Sequence, residues 1–332
     1  MIPLQNSRKQ HLCSMPDPTT RAPASDAPDM IVCIPARNEA ARLPTLLEAL
    51  SGQSRAGQIH VVIALNNTTD DSRTIVERAR SNYCGRLRIR LADRTFAPEL
   101  AHAGSARRLA MDTGLNLLTG RPDGILVSTD ADTRPPPQWL DAMARAFTRG
   151  ADVVGGRIVI DSLDGMPYEV AAVQRARNAY WEAVRAIEDA FDPLPWDPAP
   201  RHGDHTGASL ALRGGLYARC GGIPLLRSGE DRALVAAAIA SGGRLAHPPD
   251  VFTFVSSRLD GRAEGGMAEA MREMFAQAAA GDPVRMPSLK HWHERALWRR
   301  RLRFRPAGHV RIAREEQLLP PMPDDMILDL RH

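Results

Sequence analysis

Asp130-Ala131-Asp132 is the segment whose residue types and spacing most directly allow chemistry. Two carboxylates one residue apart, just past an apolar run, can reach a single hard cation through oxygen. Mg2+ or Mn2+ binds one or two protein carboxylates and fills its shell with phosphate and water, so it can neutralise charge on a departing diphosphate. The plain alternative is a polar turn with solvated acids, because the triplet is common. A second acidic pair, Glu230-Asp231, follows Arg227-Ser228-Gly229 at an expected helix start. A carboxylate there can take the proton of an acceptor hydroxyl, or it can simply cap the helix and complement its dipole. Gly104-Ser105-Ala106-Arg107-Arg108 opens another helix with small residues and two guanidiniums. Helix N-termini attract phosphate, and arginine clamps it through paired bonds. One of the two arginines is expected to be only a solvated charge.

The elements that must position these groups follow from the apolar pattern. Met30-Ile31-Val32-Cys33-Ile34 reads as a buried strand, and Leu43, Leu46, Leu47 and Leu50 mark one face of a helix over Glu39 to Leu50. Ile59 to Leu65 gives a second strand, closed by Asn66-Asn67-Thr68-Thr69, with a helix from Asp70 and Thr69 as its cap. A third strand fits Leu87 to Leu91, a helix fits Ala101 to Leu118, and Ile125 to Ser128 forms a fourth strand that runs into Asp130. Strands alternating with helices predict an α/β fold, a mostly parallel central sheet flanked by helices. In such sheets ligands bind beyond the carboxyl ends of the strands, and the polar clusters at 35–39, 66–72 and 130–132 all fall at that edge. After Gly150 the order is mixed: a strand over Asp152 to Ile160, a helix over Val170 to Ala190, a strand over Ser209 to Arg213, a helix over Arg232 to Ala240 and a strand over Val251 to Val255. Two or three helices are expected from Glu264 onward.

Taken in order, these segments resemble family 2 glycosyltransferases of the GT-A fold. The matching pieces are Ile34-Pro35-Ala36-Arg37-Asn38-Glu39, Asn66-Asn67-Thr68-Thr69-Asp70-Asp71-Ser72, Gly104-Ser105-Ala106-Arg107, Asp130-Ala131-Asp132, Gly207-Ala208-Ser209-Leu210-Ala211-Leu212-Arg213 and Gly229-Glu230-Asp231-Arg232. Each is weak alone, and their common order over about residues 30–260 carries the resemblance. It implies transfer of a sugar from a nucleoside-diphosphate sugar to an acceptor hydroxyl, with Mg2+ or Mn2+ as cofactor. Pro35, Ala36, Arg37 and Glu39, with Asn66 and Asn67, would hold the nucleoside, and Arg107 would lie near the nucleotide. Asp130 would contact ribose or metal, Asp132 would bind the metal, and Gly207 and Ala208 would line the sugar pocket. Asp231 matches the general base of inverting members, with Glu230 as its companion near acceptor or donor sugar.

One position departs from the family pattern. Many members carry an acid at the end of the second strand that reads uracil, whereas Leu65 stands here, followed by Asn66. The donor base is therefore left open between UDP, GDP and other nucleotides. The expected organisation is a mobile tail over 1–28, a GT-A domain over 29–262 and a helical C-terminal extension over 263–332. Within the domain, 29–135 would be the nucleotide-binding half and 136–262 the acceptor half. Two competing readings are a sugar-phosphate nucleotidylyltransferase and a non-catalytic nucleotide-sugar-binding protein. The first usually has a Gly-rich loop with Arg and Lys after its first strand, where this chain has Pro-Ala-Arg-Asn-Glu. No GxGxxG follows an expected strand, which speaks against a dinucleotide dehydrogenase.

Bulk properties exclude more than they assign. The net charge of +4, from 43 basic against 39 acidic residues, gives no reason to expect a nucleic-acid partner. Cys13, Cys33, Cys84 and Cys220 form no CxxC pair, so neither a zinc site nor a disulfide framework is signalled, and a reducing cytoplasm suits them. No run reaches the roughly 18 apolar residues of a membrane span, and no apolar stretch follows Arg8 and Lys9 as in a secretory leader. The basic segment Trp298 to Arg305 is expected to be a solvated helix end. The alternative, contact with anionic lipid at the inner face of a membrane, would suit a lipid-linked acceptor. A small-metabolite acceptor is equally open. Tyr180-Trp181 and Trp196 could stack on a sugar or merely pin a loop, and His202, Asp204 and His205 hint at a metal cluster. Arg258 and Arg262 could contact diphosphate or acceptor, or only surface acids.

Overall fold

The structure, a computed structural model, describes residues 29–118, 120–160, 167–255 and 267–330. The expected tail over 1–28, the Arg258 and Arg262 loop and the boundary at 262 lie outside them. Strand β1 (Met30–Ala36) is buried along almost its whole length, as a strand covered on both faces must be. It is followed by α1 (Leu43–Ser51), β2 (Ile59–Asn66), α2 (Ser72–Asn82), β3 (Leu87–Arg94), α3 (Ala103–Leu117) and β4 (Ile125–Ser128). Next come β5 (Thr133–Arg134), α4 (Trp139–Thr148), β6 (Val153–Gly155), β7 (Arg157–Ile160), α5 (Tyr168–Phe191), β8 (Leu210–Arg213) and α6 (Gly214–Arg219). The chain continues with α7 (Glu230–Ala240), β9 (Leu245–Ala246), β10 (Phe252–Val255), α8 (Met267–Ala280), β11 (Arg285–Met286), α9 (Leu289–Arg303), α10 (Gly308–Glu316) and β12 (Met326–Ile327).

The central sheet has the order β3-β2-β1-β4-β8-β6-β9. Strands β3, β2, β1 and β4 are parallel, so the chain leaves all of them at one edge. Strand β8 runs antiparallel to β4, with Leu210 opposite Ser128. The start of β8 therefore lies beside the end of β4, which sets residues 207–209 next to Asp130. A smaller sheet, β5-β10-β7, flanks this edge. The expected single strand over Asp152 to Ile160 breaks at Gly155-Gly156. A Cβ on Gly155 would meet the Asp204 carbonyl oxygen at 2.3 Å, and one on Gly156 would meet the Ser209 Oγ at 1.9 Å. Another backbone crosses at that point, and only glycine leaves room for it.

Leu43, Leu46, Leu47 and Leu50 of α1 are fully buried against one face of the sheet with Trp139, Met143 and Phe147 of α4. Each of those leucines contributes roughly 2 kcal/mol by leaving water. Helix α4 is not anticipated from the sequence reading, although Trp139, Leu140, Met143, Ala146 and Phe147 recur at helical spacing. Pro135-Pro136-Pro137 interrupts the chain just before it, and proline at a helix start costs no hydrogen bond. On the other face Ala110 and Met111 of α3 pack with Leu216, Tyr217 and Leu234. A third core joins Val173, Tyr180 and Val184 of α5 to Met274 and Val284, with Trp292 of α9 against it. Among the described residues beyond β10 stand α8, α9 and α10, with the two-stranded pairing of β11 and β12. Among the described residues no helix is long and apolar enough to cross a membrane.

Candidate functional site

Helix α1 starts at Leu43, not at Glu39, and the freed residues 37–42 form the first wall of the site. Asn38 sits in the left-handed region at φ 51°, which Asn tolerates better than other side chains with a Cβ. Its Oδ1 accepts from the Thr69 N–H at 2.7 Å, and the Glu39 N–H donates to Ser72 Oγ at 2.9 Å. Asp70 accepts from the Ala40 N–H at 3.0 Å and from the Ser72 hydroxyl at 2.6 Å. The loops after β1 and β2 are thus one bonded unit, and α2 begins at Ser72 with Asp70, not Thr69, satisfying a first-turn N–H. Arg37 reaches the Ala101 carbonyl at 3.1 Å, and Asn67 exchanges two bonds of 2.9 Å with the backbone of Phe96. Pro35 and Ala36 end β1 opposite Ala64 and Leu65.

Leu65 is fully buried in the core under α1, so strand alternation turns it away from the edge beside α3. Asn66 is the residue that faces α3. Its Nδ2 donates to the His102 carbonyl at 2.9 Å, while its Oδ1 is buried without a hydrogen-bond partner. A buried acceptor with no partner costs stability unless something bound supplies a donor.

Helix α3 links this wall to the acidic one. The imidazole of His102 accepts from the Ser105 N–H at 3.4 Å as the N-cap. A Cβ on Gly104 would lie 2.3 Å from the Leu226 carbonyl oxygen. The small residues at this helix start therefore serve close backbone packing, and His102 and Leu226 occupy much of the space expected to admit phosphate. One turn further in, Arg107 is buried and all three of its nitrogens are bound. Nε donates to Glu230 Oε1 at 3.0 Å, Nη1 donates to Ser128 Oγ at 2.7 Å and the Gly207 carbonyl at 3.0 Å, and Nη2 donates to Asp130 Oδ1 at 2.9 Å. Burial alone would weaken its hold on a proton; the carboxylates of Asp130, Glu230 and Asp231 outweigh that and keep it firmly charged. Arg108, by contrast, pairs with Asp112 one turn along and with the Ile223 carbonyl, away from these acids.

Gly207 must be glycine, since a Cβ there would stand 2.4 Å from the Arg107 guanidinium carbon. Its N–H donates to Asp231 Oδ2 at 2.7 Å. The Ala208 carbonyl accepts from Thr129 Oγ1 at 2.8 Å, and Ser128 Oγ donates to the Gly207 carbonyl at 2.8 Å. Ser128 and Thr129 are buried site-builders that the sequence reading passes over, although they directly precede Asp130. Helix α7 starts at Glu230, after Gly229 at φ 72°, so both acids occupy its first turn. Asp231 Oδ1 does accept from the neighbouring Arg232 N–H, but Glu230 and the other Asp231 oxygen bond across to α3 and to the start of β8. Capping is therefore the smaller part of what this pair does.

The structure brings Arg107, Asp130, Gly207, Ala208, Glu230 and Asp231 together, with Asp132 in the turn between β4 and β5. The Arg107 guanidinium binds Asp130 and Glu230 and feels the charge of Asp231, and the Asp130 side chain is still 37% exposed, so its carboxylate can offer an oxygen to a divalent cation. His202 is different: its Nδ1 accepts from the Asp204 N–H at 3.1 Å and its Nε2 lies 3.1 Å from the Pro248 carbonyl. Among the described residues no group of three or more His, Cys, Asp or Glu side chains is arranged to hold a metal. Tyr180 is buried and bonds the Pro287 carbonyl and Trp292, so it pins the core; Trp181 remains 39% exposed. Arg299 and Arg303 of the basic segment are tied to Glu188, Glu316 and Asp192 and are not a solvated helix end.

No curated protein sequence matches the chain. Among solved structures it is similar to the mannosyltransferase PcManGT from Pyrobaculum calidifontis, solved with GDP-Man and Mn2+. That likeness has a TM-score of 0.50 at 22% identity and covers 91% of this chain and 71% of that one. It is also similar to S. aureus TarS 1-349, with a TM-score of 0.48 at 16% identity over 83% of this chain and 72% of that one. Residues 31–188 match the family model described as Glycosyl transferase family 2, and this span holds β1 to β4, Arg107 and the Asp130-Ala131-Asp132 turn. Residues 31–188 thus carry the family 2 glycosyltransferase match, and the fold around them is the GT-A fold.

Proposed function

We propose that this glycosyltransferase moves a sugar from a nucleoside-diphosphate sugar to an acceptor hydroxyl, with inversion and with a divalent metal. The observation that carries the proposal is the Arg107 guanidinium, which joins Asp130 at the end of β4 to Glu230 at the start of α7. A donor anchored at the carboxyl edge of the sheet would thereby have Asp231 across from it. In the transfer the acceptor oxygen forms the new bond to the anomeric carbon as that carbon's bond to phosphate breaks. The leaving electron pair stays on the diphosphate, and the hydroxyl proton passes to Asp231. Both Asp231 oxygens already accept one backbone N–H, which fixes the carboxylate while each keeps a second lone pair.

Asp130 and Asp132 would hold Mg2+ or Mn2+, which when bound neutralises charge on the leaving diphosphate. Pro35, Ala36, Arg37 and Glu39, with Asn67, form the nucleoside wall, and the unpartnered Asn66 Oδ1 is offered to a donor group on the base or ribose. That group sets no preference between UDP and GDP. Gly207 and Ala208 flank the sugar. Residues 29–135 serve as the donor half, 136–262 as the acceptor half and 263–332 as the extension, and the enzyme's expected location is the cytoplasm. The family match favours sugar transfer over nucleotidyl transfer.

The test is release of nucleoside diphosphate from a panel of UDP- and GDP-sugars, with Mn2+, Mg2+ or chelator. Asp132→Ala should lose at least about tenfold in metal-dependent donor binding, with its melting temperature little changed. Full donor binding and turnover in that variant would overturn the metal assignment, and an anomeric proton spectrum showing retention would overturn inversion.

A further inference from the structure

A cavity of about 1020 Å³ lies between α5, the segment 192–205, the inner face of α7 and the helices α9 and α10. Its two ends differ in charge. Toward α9 every guanidinium is neutralised: Arg201 by Glu188 and Asp189, Arg299 by Glu188 and Glu316, and Arg303 by Asp192. Toward β7 two guanidiniums line the cavity without such partners. Among the described residues neither Arg157 nor Arg185 makes a side-chain hydrogen bond or ion pair.

Nearby acids do not neutralise this second pair. Glu182 and Asp204 both act on Arg185 from a distance, while Arg201 and Arg157 oppose its charge. Asp204 instead accepts from the Ile158 N–H at 3.3 Å. Burial first, and then the charges of Arg201 and Arg157, lower the Arg185 pKa against the opposing pull of the two acids, so an anion placed between Arg157 and Arg185 would favour the charged form. Burial, then His247, lowers the pKa of two imidazoles at this end, His205 and His202, and pushes that of His202 down to about 3, so neither of these two adds a competing positive charge near neutral pH. Trp181, packed edge-on against Trp292 of α9 at 5.6 Å, gives the cavity an apolar flank.

The chain that lines the cavity runs on into the transfer site. His205 lines it, and two residues further on Gly207 donates its N–H to Asp231. Between them the Thr206 hydroxyl is buried with no hydrogen-bond partner. Ala236 and Ile239, which form part of the cavity wall, lie on the same helix whose first turn carries Asp231.

We propose that this cavity is the acceptor subsite and takes an acceptor bearing a compact oxyanion, a phosphate or a carboxylate, held between Arg157 and Arg185. The acceptor extends past His205 and Thr206 and presents its hydroxyl to Asp231, so the inference rests on the role given to Asp231 above. Guanidiniums match such anions through paired, charge-assisted bonds.

The test measures binding of inorganic phosphate, glycerol 1-phosphate, glycerate and glycerol to the full chain by calorimetry. It compares the wild type with Arg157→Gln, Arg185→Gln and the double variant. These side chains are partly exposed and unpaired, and thermal unfolding checks that each variant keeps the fold. Glycerol 1-phosphate or glycerate should bind and glycerol should not, with affinity falling about tenfold for each guanidinium removed. Preference between the phosphate and the carboxylate probe identifies the anion. Equal binding of the anionic probes by wild type and double variant, or binding no tighter than that of glycerol, overturns the proposal. Mn2+-dependent binding of UDP or GDP, measured on the same samples, reports separately on the donor reading. Its absence in the wild type would sink that reading, whatever the anion result.

Discussion

Arg107 and Arg299 each bind carboxylates from two separate elements in a largely water-free setting. Arg107 joins Asp130 to Glu230, and Arg299 joins Glu188 of α5 to Glu316 of α10. For both, burial opposes the charge and the acids more than restore it. The difference lies in what surrounds the pair. Around Arg107 stand Asp231 and a half-open Asp130, and the orphaned acceptor on Asn66 lies at the end of another of the parallel strands. Around Arg299 the charges close on one another, with Arg295 also paired to Glu316 and Arg303 to Asp192. A buried ion pair is thus weak evidence of function in itself. What marks a site is polar capacity left over after the pair has formed.

The sharpest way to break this comparison is Arg107→Met. Removing the cation leaves the buried Glu230 carboxylate without its partner, and the cost of breaking a buried pair is about 3–5 kcal/mol. Chemical denaturation should show that loss, together with loss of metal-dependent nucleotide binding. Arg299→Met should cost less, about 1–3 kcal/mol, because its partners keep some contact with water. Its binding of nucleoside diphosphate with Mn2+ should stay near wild type, and a loss as large as that of Arg107→Met would erase the distinction drawn here.

The smallest expected effect concerns pH. His202 is buried beside His247, and its pKa falls from the ordinary histidine value to about 3. The unfolded chain then binds this proton more readily than the folded one. The stability contributed by the neutral ring is complete above about pH 6.5 and is lost as pH falls toward 3. His202→Gln should flatten the acid limb of the stability curve between those values, as read by denaturation at a series of pH values. An unchanged limb would show that other groups govern acid unfolding.

Much of the chain from β1 to β4 was legible because its signals are local. The apolar run Met30 to Ile34, the leucine stripe of α1 and the strand ending at Ser128 each declare themselves within a few residues. Parallel order then follows from their alternation with helices, and the shared edge follows from parallel order. The reading was weaker wherever a residue's meaning depends on what crosses it. Gly155-Gly156 looked like the middle of one strand, and only the passing backbone of 204–209 explains why the strand breaks there. Leu65 stands where the family pattern has an acid, but the pleat turns it into the core, and Asn66 is the side chain that faces α3. The basic segment looked solvated because its acid partners lie far away in sequence.

The sequence by itself determined the α/β class, the carboxyl edge at which the polar clusters meet and the order of motifs that resembles family 2 glycosyltransferases. These depend on periodicity and on chemistry carried by neighbouring residues. Only the tertiary structure decided that Arg107 is the hub of the acids, that Gly207 is glycine to admit it, and that Arg157 and Arg185 face one cavity without partners. Hydrogen bonds and charge compensation act over a few ångströms in space, and no pattern along the chain records which distant groups the fold brings within that reach.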